Sequence, residues 1–187
     1  MDGTEVVMAG FGGQGMLMAG KVLAQAALDL GMEVSWLPSY GPEMRGGTAN
    51  VIVCLSSKPI GSPLIESPRG LLVMNLPSLE KFAPKVKPGG VIVVNSSLVD
   101  RDPARDDCDV VHVAARDVAI EAGSERAANF VMLGAYLGAT EVLPEDAVER
   151  AIESEFTGNK AKFVPVNVAA FRAGAAEGAK MKLARSS

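Results

Sequence analysis

Cysteine and histidine are nearly absent from this sequence of 187 residues, which holds only Cys54, Cys108 and His112. These cannot assemble the four-cysteine set of an iron–sulfur cluster or the Cys/His set of a zinc site, so any cluster or tightly held transition metal has to sit on another polypeptide. Each cysteine stands inside an apolar run, VIVCL or CDVVHV, and is expected as a buried small hydrophobe in a reducing compartment rather than in a disulfide. The single histidine lies in the alternation VVHVA and is expected in the core, which leaves no Ser/His/Asp set to build. No apolar run approaches the roughly 20 residues needed to span a bilayer. The opening MDGTEVVMAG lacks the basic, apolar and small-residue regions of a secretory signal, and the expected location is the cytoplasm. Nor is there an excess of positive charge: 18 Lys and Arg against 22 Asp and Glu give a net charge of −4, which excludes a nucleic-acid-binding face. The acidic stretch DPARDDCD (102–109) carries Arg105 and follows Arg101, and it is expected as a solvated loop rather than a cation site.

What is present is the composition of one globular domain over 1–187, with 48% hydrophobic and 21% charged residues. Residues 1–95 are electrically balanced, and the surplus of acid lies after them. Val6–Met8 form a short apolar run ending at Gly10, after which FGGQGMLMAGKVLAQAALDLG turns to helical spacing and stops at Gly31. A strand EVSWLP (33–38) follows, and two strands joined through a helix predict a parallel βαβ unit. Further strands are expected at 49–57, 70–75, 89–97 and 108–115, whose continuous Val, Ile and Leu content suits a sheet covered on both faces. A short helix is expected at 77–82, before the turn chemistry of PKVKPGG. The last third predicts helices in ARDVAIEAG, NFVMLGAYLGAT, LPEDAVERAIESEF and VNVAAFRAGAAEGAKMKLAR, with Ala147, Val148, Ala151, Ile152 and Phe156 as one apolar stripe. Asn167 is placed to cap the final helix, and Lys180, Lys182 and Arg185 suit the negative end of its dipole. The expected fold class is α/β, with helices on both faces of a mainly parallel sheet.

Two loops carry the candidate chemistry. Gly10, Gly12 and Gly15 satisfy G-x-G-x-x-G between a strand and a helix, where backbone N–H groups can hold a phosphate. With Gly13 they also permit a tight turn with no ligand at all, while Gln14 offers a donor and an acceptor to whatever approaches. A dinucleotide is disfavoured, because the second strand ends in Trp36, Leu37, Pro38 and Ser39, where an acidic residue for the ribose hydroxyls belongs. The second loop, SYGPEMRGGT (39–48), presents Ser39, Tyr40, Glu43 and Arg45 on a backbone set by Pro42, Gly46 and Gly47. Arg45 is suited to clamp a carboxylate or phosphate, although a solvated surface turn with a Glu/Arg pair accounts for the same residues.

Taken together, GFGGQG (10–15), SYGPEMRGG (39–47), NLPSLEKF (75–82), GGVIVVNSS (89–97) and NFVMLGAYLG (129–138) resemble, in this order, the gamma subunit or gamma domain of the 2-oxoacid:ferredoxin oxidoreductases. The resemblance covers essentially the whole chain. It implies a single Rossmann-like three-layer α/β/α domain in a complex that oxidatively decarboxylates a 2-oxoacid with coenzyme A to acyl-CoA and CO2, reducing ferredoxin. It also implies that thiamine diphosphate and iron–sulfur clusters reside on other subunits, so that this chain binds no cofactor alone and has no catalytic residue of its own. The implied partners are alpha and beta subunits, with a ferredoxin-like delta subunit as a further candidate. By the same likeness, Gly10, Gly12, Gly13, Gln14, Gly15, Ser39, Tyr40, Glu43, Arg45, Gly46 and Gly47 face the partners and the region where coenzyme A arrives. The pyruvate, ketoisovalerate and 2-oxoglutarate branches match better than the indolepyruvate branch. Alternatives from other classes are a free-standing nucleotide-binding oxidoreductase and a regulatory binding module.

Overall fold

A computed structural model describes residues 3–41 and 47–185 of the chain. Strand β1 (Thr4–Phe11) runs into helix α1 (Met16–Asp29), which Gly31 ends at φ +77°. Then come β2 (Glu33–Tyr40), β3 (Thr48–Ser56), β4 (Gly70–Val73), α2 (Leu76–Phe82), β5 (Val91–Asn95) and β6 (Asp109–Val113). Four helices complete the chain: α3 (Ala115–Glu121), α4 (Ala128–Thr140), α5 (Glu145–Glu155) and α6 (Val164–Arg185). Short 3₁₀ segments follow α2 (Ala83–Lys85) and precede α4 (Glu125–Ala127) and α6 (Gly158–Phe163).

The sheet order is β2-β3-β1-β4-β5-β6. Strands β1, β4, β5 and β6 pair in parallel, while β3 pairs antiparallel with both β1 and β2. Five of the six strands therefore point the same way, and the sheet is mainly parallel as the sequence predicts. The β1–α1–β2 unit differs from expectation in one respect: its strands are parallel but not neighbours, because β3 turns back through the 41–47 loop and inserts between them. A loop this short can only join antiparallel neighbours, so β3 had to reverse.

Alternation along the strands feeds two cores. Val6, Met8, Val51, Val53, Leu72, Val93 and Val111 pack under α1, α4, α5 and α6. Val7, Ala9, Leu71, Val73, Ile92 and Val94 face the other way, onto Leu79 of α2, Ala83 and Val86. The layers are unequal. Ala115 and Ala119 put α3 on the first face as well, so only α2 covers the second. The predicted α5 stripe is buried at Ala147, Val148, Ala151 and Ile152, and Phe156 meets Phe130 edge-on with ring centroids 5.8 Å apart.

Helices α4 and α6 run parallel at unusually close range. A Cβ built at Gly134 would lie 2.0 Å from the Phe171 carbonyl oxygen, one at Gly138 2.0 Å from that of Ala175, and one at Gly178 2.0 Å from that of Ala135. Only hydrogen fits there, so the G-x-x-x-G spacings in both helices set the distance between them.

Three expectations are corrected. His112 is exposed, its side chain 42% accessible on the edge strand β6 and its Nε2 3.3 Å from Asp102 Oδ2. An alternating pattern on an edge strand buries one side only, and His112 falls on the other. Asn167 does not cap α6, which begins three residues earlier at Val164 with proline at position 165, a favoured place in a first turn. Cys54 is buried as expected, but Cys108 is only partly so; both are free thiols. The 102–109 stretch is largely solvated yet held in place: Arg105 donates to the carbonyls of Ala83 (2.7 Å) and Val86 (2.8 Å) and pairs with Asp107.

Candidate functional site

The glycine turn caps the sheet where β1, β2, β4 and β5 all end. Its glycines have separate duties. A Cβ at Gly10 would strike Gln14 Oε1 at 2.5 Å, and one at Gly15, which sits at φ +77°, would lie 2.9 Å from Asn129 Nδ2. Gly13, at φ +99°, has nothing within 4 Å of that position and faces open space. Gly15 precedes α1 without offering a side-chain cap, so the N–H groups of the first helical turn keep their partial positive charge.

Gln14 is spent on the turn rather than presented outward. Its Oε1 accepts from the Phe11 N–H at 2.6 Å, and its Nε2 donates to the Met74 carbonyl at 3.4 Å, which ties the turn to the end of β4. Asn129, at the start of α4, donates to the Gly15 carbonyl at 3.0 Å and anchors the turn from the other side.

The two predicted loops meet directly: the Gly12 N–H donates to the Gly47 carbonyl at 2.8 Å. Gly41 N–H to Thr48 O, also 2.8 Å, closes the loop between β2 and β3. Ser39 and Tyr40 belong to β2, which extends two residues past its predicted end; both are exposed, Tyr40 to 55%. Phe11, the last residue of β1, and Trp36, midway along β2, are each 38% exposed. Glu43, Arg45 and Gly46 lie outside the described residues.

The sheet order sharpens the argument against a dinucleotide. In such folds the acidic residue that meets the ribose ends the strand next to β1, a place that β3 occupies here, running the opposite way. The end of β2 is two strand spacings, about 10 Å, from the glycine turn.

A family model described as pyruvate ferredoxin/flavodoxin oxidoreductase matches residues 5–177. The chain belongs to that family. It is 41% identical over 172 residues to ketoisovalerate oxidoreductase subunit VorA of Methanothermobacter marburgensis, a match covering 91% of this chain and 35% of that protein. It is 35% identical over 178 residues to 2-oxoglutarate synthase subunit KorC of the same organism, covering 91% of this chain and 94% of that one. The keto/oxoacid ferredoxin oxidoreductase gamma subunit of Geobacter sulfurreducens superposes with a TM-score of 0.80 at 31% identity, over 95% of this chain and 99% of that one. The chain thus spans about a third of its ketoisovalerate relatives and nearly all of the 2-oxoglutarate one. Among the described residues of this pyruvate ferredoxin/flavodoxin oxidoreductase family member, no helix is long and apolar enough to cross a membrane. No group of three or more His, Cys, Asp or Glu side chains is placed to hold a metal among them either.

Sequence reasoning did not single out Asn129 or Asn95 as part of this region. The signal was available: each is an isolated amide in an apolar run, NFVMLG and VIVVN, and both are almost fully buried. A buried amide needs partners, and here backbone supplies them in part: the Asn129 Nδ2 donates to the Gly15 carbonyl and the Asn95 Oδ1 accepts from the Ser97 N–H.

Proposed function

We propose that this chain is the gamma subunit, or the gamma-equivalent part, of a cytoplasmic 2-oxoacid:ferredoxin oxidoreductase that converts a 2-oxoacid and coenzyme A to acyl-CoA and CO2. The family match and the relatives' names support the reaction class. The observation that carries the site is the Gly12–Gly47 hydrogen bond, which joins the two loops into one surface. On this reading thiamine diphosphate and the iron–sulfur clusters belong to alpha, beta and delta-type partners. This chain supplies a face made of the glycine turn, Ser39, Tyr40 and the 42–47 segment.

That face suits a phosphate-bearing ligand such as coenzyme A in one physical respect. The space over Gly13 is open, and the uncapped first turn of α1 beside it offers backbone N–H groups. Gly13, Gly15 and Arg45 are the residues to hold an anion there, while the exposed rings of Phe11, Trp36 and Tyr40 offer apolar area to a partner. The free-standing nucleotide-dependent oxidoreductase fares worse, because β3 takes the place of the strand that would carry the ribose-binding acid.

The test is to tag the chain in its source cell, identify co-purifying subunits by mass spectrometry, and assay 2-oxoacid- and coenzyme A-dependent ferredoxin reduction by the complex. Arg45→Ala and Tyr40→Ala should lower acyl-CoA formation or subunit retention while leaving the circular dichroism of the isolated chain unchanged. A chain that purifies alone, or variants with full activity and full coenzyme A affinity, would refute the assignment.

A further inference from the structure

At the end of the sheet where the parallel strands begin, about 23 Å along β1 from the glycine turn, a cleft of about 380 Å³ opens. It lies between Thr4 at the start of β1, Arg69 just before β4, Gly89 and Gly90 just before β5, and Thr140 at the end of α4. The sequence does not announce it, because open α/β sheets take their usual ligands at the carboxyl ends of the strands and this is the amino end.

Arg69 supplies the charge. It makes no ion pair among the described residues, while two acids bordering the cleft are already spent. Glu5, next to Thr4, pairs with Lys87 at 3.1 Å, and Glu141, between Thr140 and Val142, pairs with Lys182 at 2.5 Å. The main chain of Arg69 is committed to the sheet: its N–H donates to the Glu5 carbonyl at 3.0 Å, and its carbonyl accepts from the Val91 N–H at 2.9 Å. The backbone is therefore fixed, and the exposed guanidinium is left over.

Tyr136 gives the cleft a wall and a polar atom. The residue is only 2% exposed, and its hydroxyl stands over Gly70, where a Cβ would lie 2.6 Å from it. The Thr4 and Thr140 side chains hydrogen-bond with that hydroxyl, and the Arg69 charge is near enough to oppose the upward pull of burial on the phenol. Val91 and Val142 add apolar lining. Helix α4 ends here, with the Glu141 N–H turning back to the Leu137 carbonyl at 2.7 Å, and the other carbonyls of its last turn form the negative end of the helix dipole. The cleft thus has a positive side at Arg69, a negative side at the end of α4, and apolar surface between them.

We propose that this cleft binds a small aliphatic carboxylate with a polar group on its α-carbon. The carboxylate sits on the Arg69 guanidinium, the α-group faces the Tyr136 hydroxyl and the end of α4, and the chain lies against Val91 and Val142. The volume falls at the lower end of the range for small-molecule pockets, about 300–1,000 Å³. α-Amino acids and 2-oxoacids share this chemistry. An ammonium gains from the carbonyl end of α4, whereas a 2-oxo group only accepts from the hydroxyls, so the two sources are separable by affinity. The site goes beyond the proposed function and does not rest on it, since it uses the other end of the sheet and is read on this chain alone.

Amide proton–nitrogen correlation spectra of the 187-residue chain, titrated with valine and with the 2-oxoacid of the same carbon skeleton, are the direct test. At least one of the two should saturate at millimolar concentration, moving the Gly89 and Gly90 amides and leaving that of Gly13 in place. Tighter binding of valine identifies an amino acid as the occupant, and tighter binding of its partner a 2-oxoacid. Isovalerate, which lacks the α-group, should bind more weakly, and valinamide, which lacks the carboxylate, should not bind. Arg69→Gln should weaken the better ligand about tenfold or more, the loss expected for a charged hydrogen-bonding partner, and Arg69→Lys should recover part of it. Arg150→Gln, which removes the same charge from α5, should leave the affinity unchanged. Because Arg69 is exposed and holds the sheet through its backbone, its variants should keep the parent melting temperature, so that lost binding reports on the ligand. The proposal is overturned if neither valine nor its 2-oxoacid moves these amides, if Arg69→Gln binds as the parent does, or if sulfate moves them equally, the mark of an adventitious ion only. Activity of the Arg45 and Tyr40 variants tests the Gly12–Gly47 surface and is independent of these outcomes.

Discussion

Replacing Gly134 by Ala sets two effects of opposite sign against each other. In an unconstrained helix interior Ala is favoured over Gly by about 1 kcal/mol. At Gly134, however, the new methyl would sit 2.0 Å from the Phe171 carbonyl oxygen and 2.8 Å from the Ala175 nitrogen. Ordinary C···O approach is about 3.3 Å or more, so α4 and α6 would have to part by about 1 Å. Both obstructing atoms are backbone, and no rotamer change can relieve them. Overpacking in a core costs about 1–3 kcal/mol where side chains can adjust, and a backbone-on-backbone clash falls at or above the top of that range. The net expectation is a loss of about 2 kcal/mol, a fall in Tm of roughly 4–8 °C for a domain of this size. Thermal unfolding followed by far-ultraviolet circular dichroism measures it, with Gly61→Ala, where a Cβ meets nothing within 4 Å, as the control. Gly178→Ala, 2.0 Å from the Ala135 carbonyl oxygen, should behave like Gly134→Ala. If either helix variant melts at or above the parent temperature, propensity has won and the close approach of α4 and α6 is not what the structure indicates.

Three further outcomes follow from single contacts. Burial pushes the Tyr136 phenol up to about 12, against about 10 for the unfolded chain. Its contribution is therefore complete below pH 10 and disappears as pH rises from 10 to 12, a loss of about 3 kcal/mol; urea titrations across that range should show it, and Tyr136→Phe should flatten it. Asn129→Ala removes the donor to the Gly15 carbonyl and should destabilise the chain by about 1–3 kcal/mol in urea, whereas an unchanged midpoint would mean that water replaces it. Burial raises the pKa of both thiols, so a thiol-specific reagent at pH 8 should react more slowly than with a free cysteine, the partly exposed Cys108 ahead of Cys54; equal rates would contradict the burial difference.

The parts of the fold that repeat locally were legible in the sequence. Every strand and helix was anticipated within a few residues, because the period changes from strand to helix at Gly10 and because Gly31 and the PKVKPGG segment punctuate the chain. What was not legible depends on partners distant in sequence. The insertion of β3 between β1 and β2 is a matter of pairing, and EVSWLP has the same composition whichever neighbour it takes. His112 was misplaced for a similar reason: whether an alternating strand hides both faces depends on whether it is central or at an edge. The paired G-x-x-x-G spacings of α4 and α6 were visible in the letters, but their meaning needed both helices side by side.

The candidate site shows the same division between local and long-range information. The glycine turn announced itself, yet only the structure shows that Gln14 closes it from within and that Gly12 bonds to Gly47. Because Gln14 is occupied, the turn's freedom to meet a ligand is concentrated at Gly13 and the first turn of α1 on one side. Gly13 and Gln14 also line a cleft at the ends of β1, β4 and β5, together with Met74, Asn95, Arg116 and Arg126. One strand end thus serves two surfaces. The surface toward β2 and β3 carries exposed rings suited to a subunit, and the one toward β4 and β5 is lined by Arg116 and Arg126.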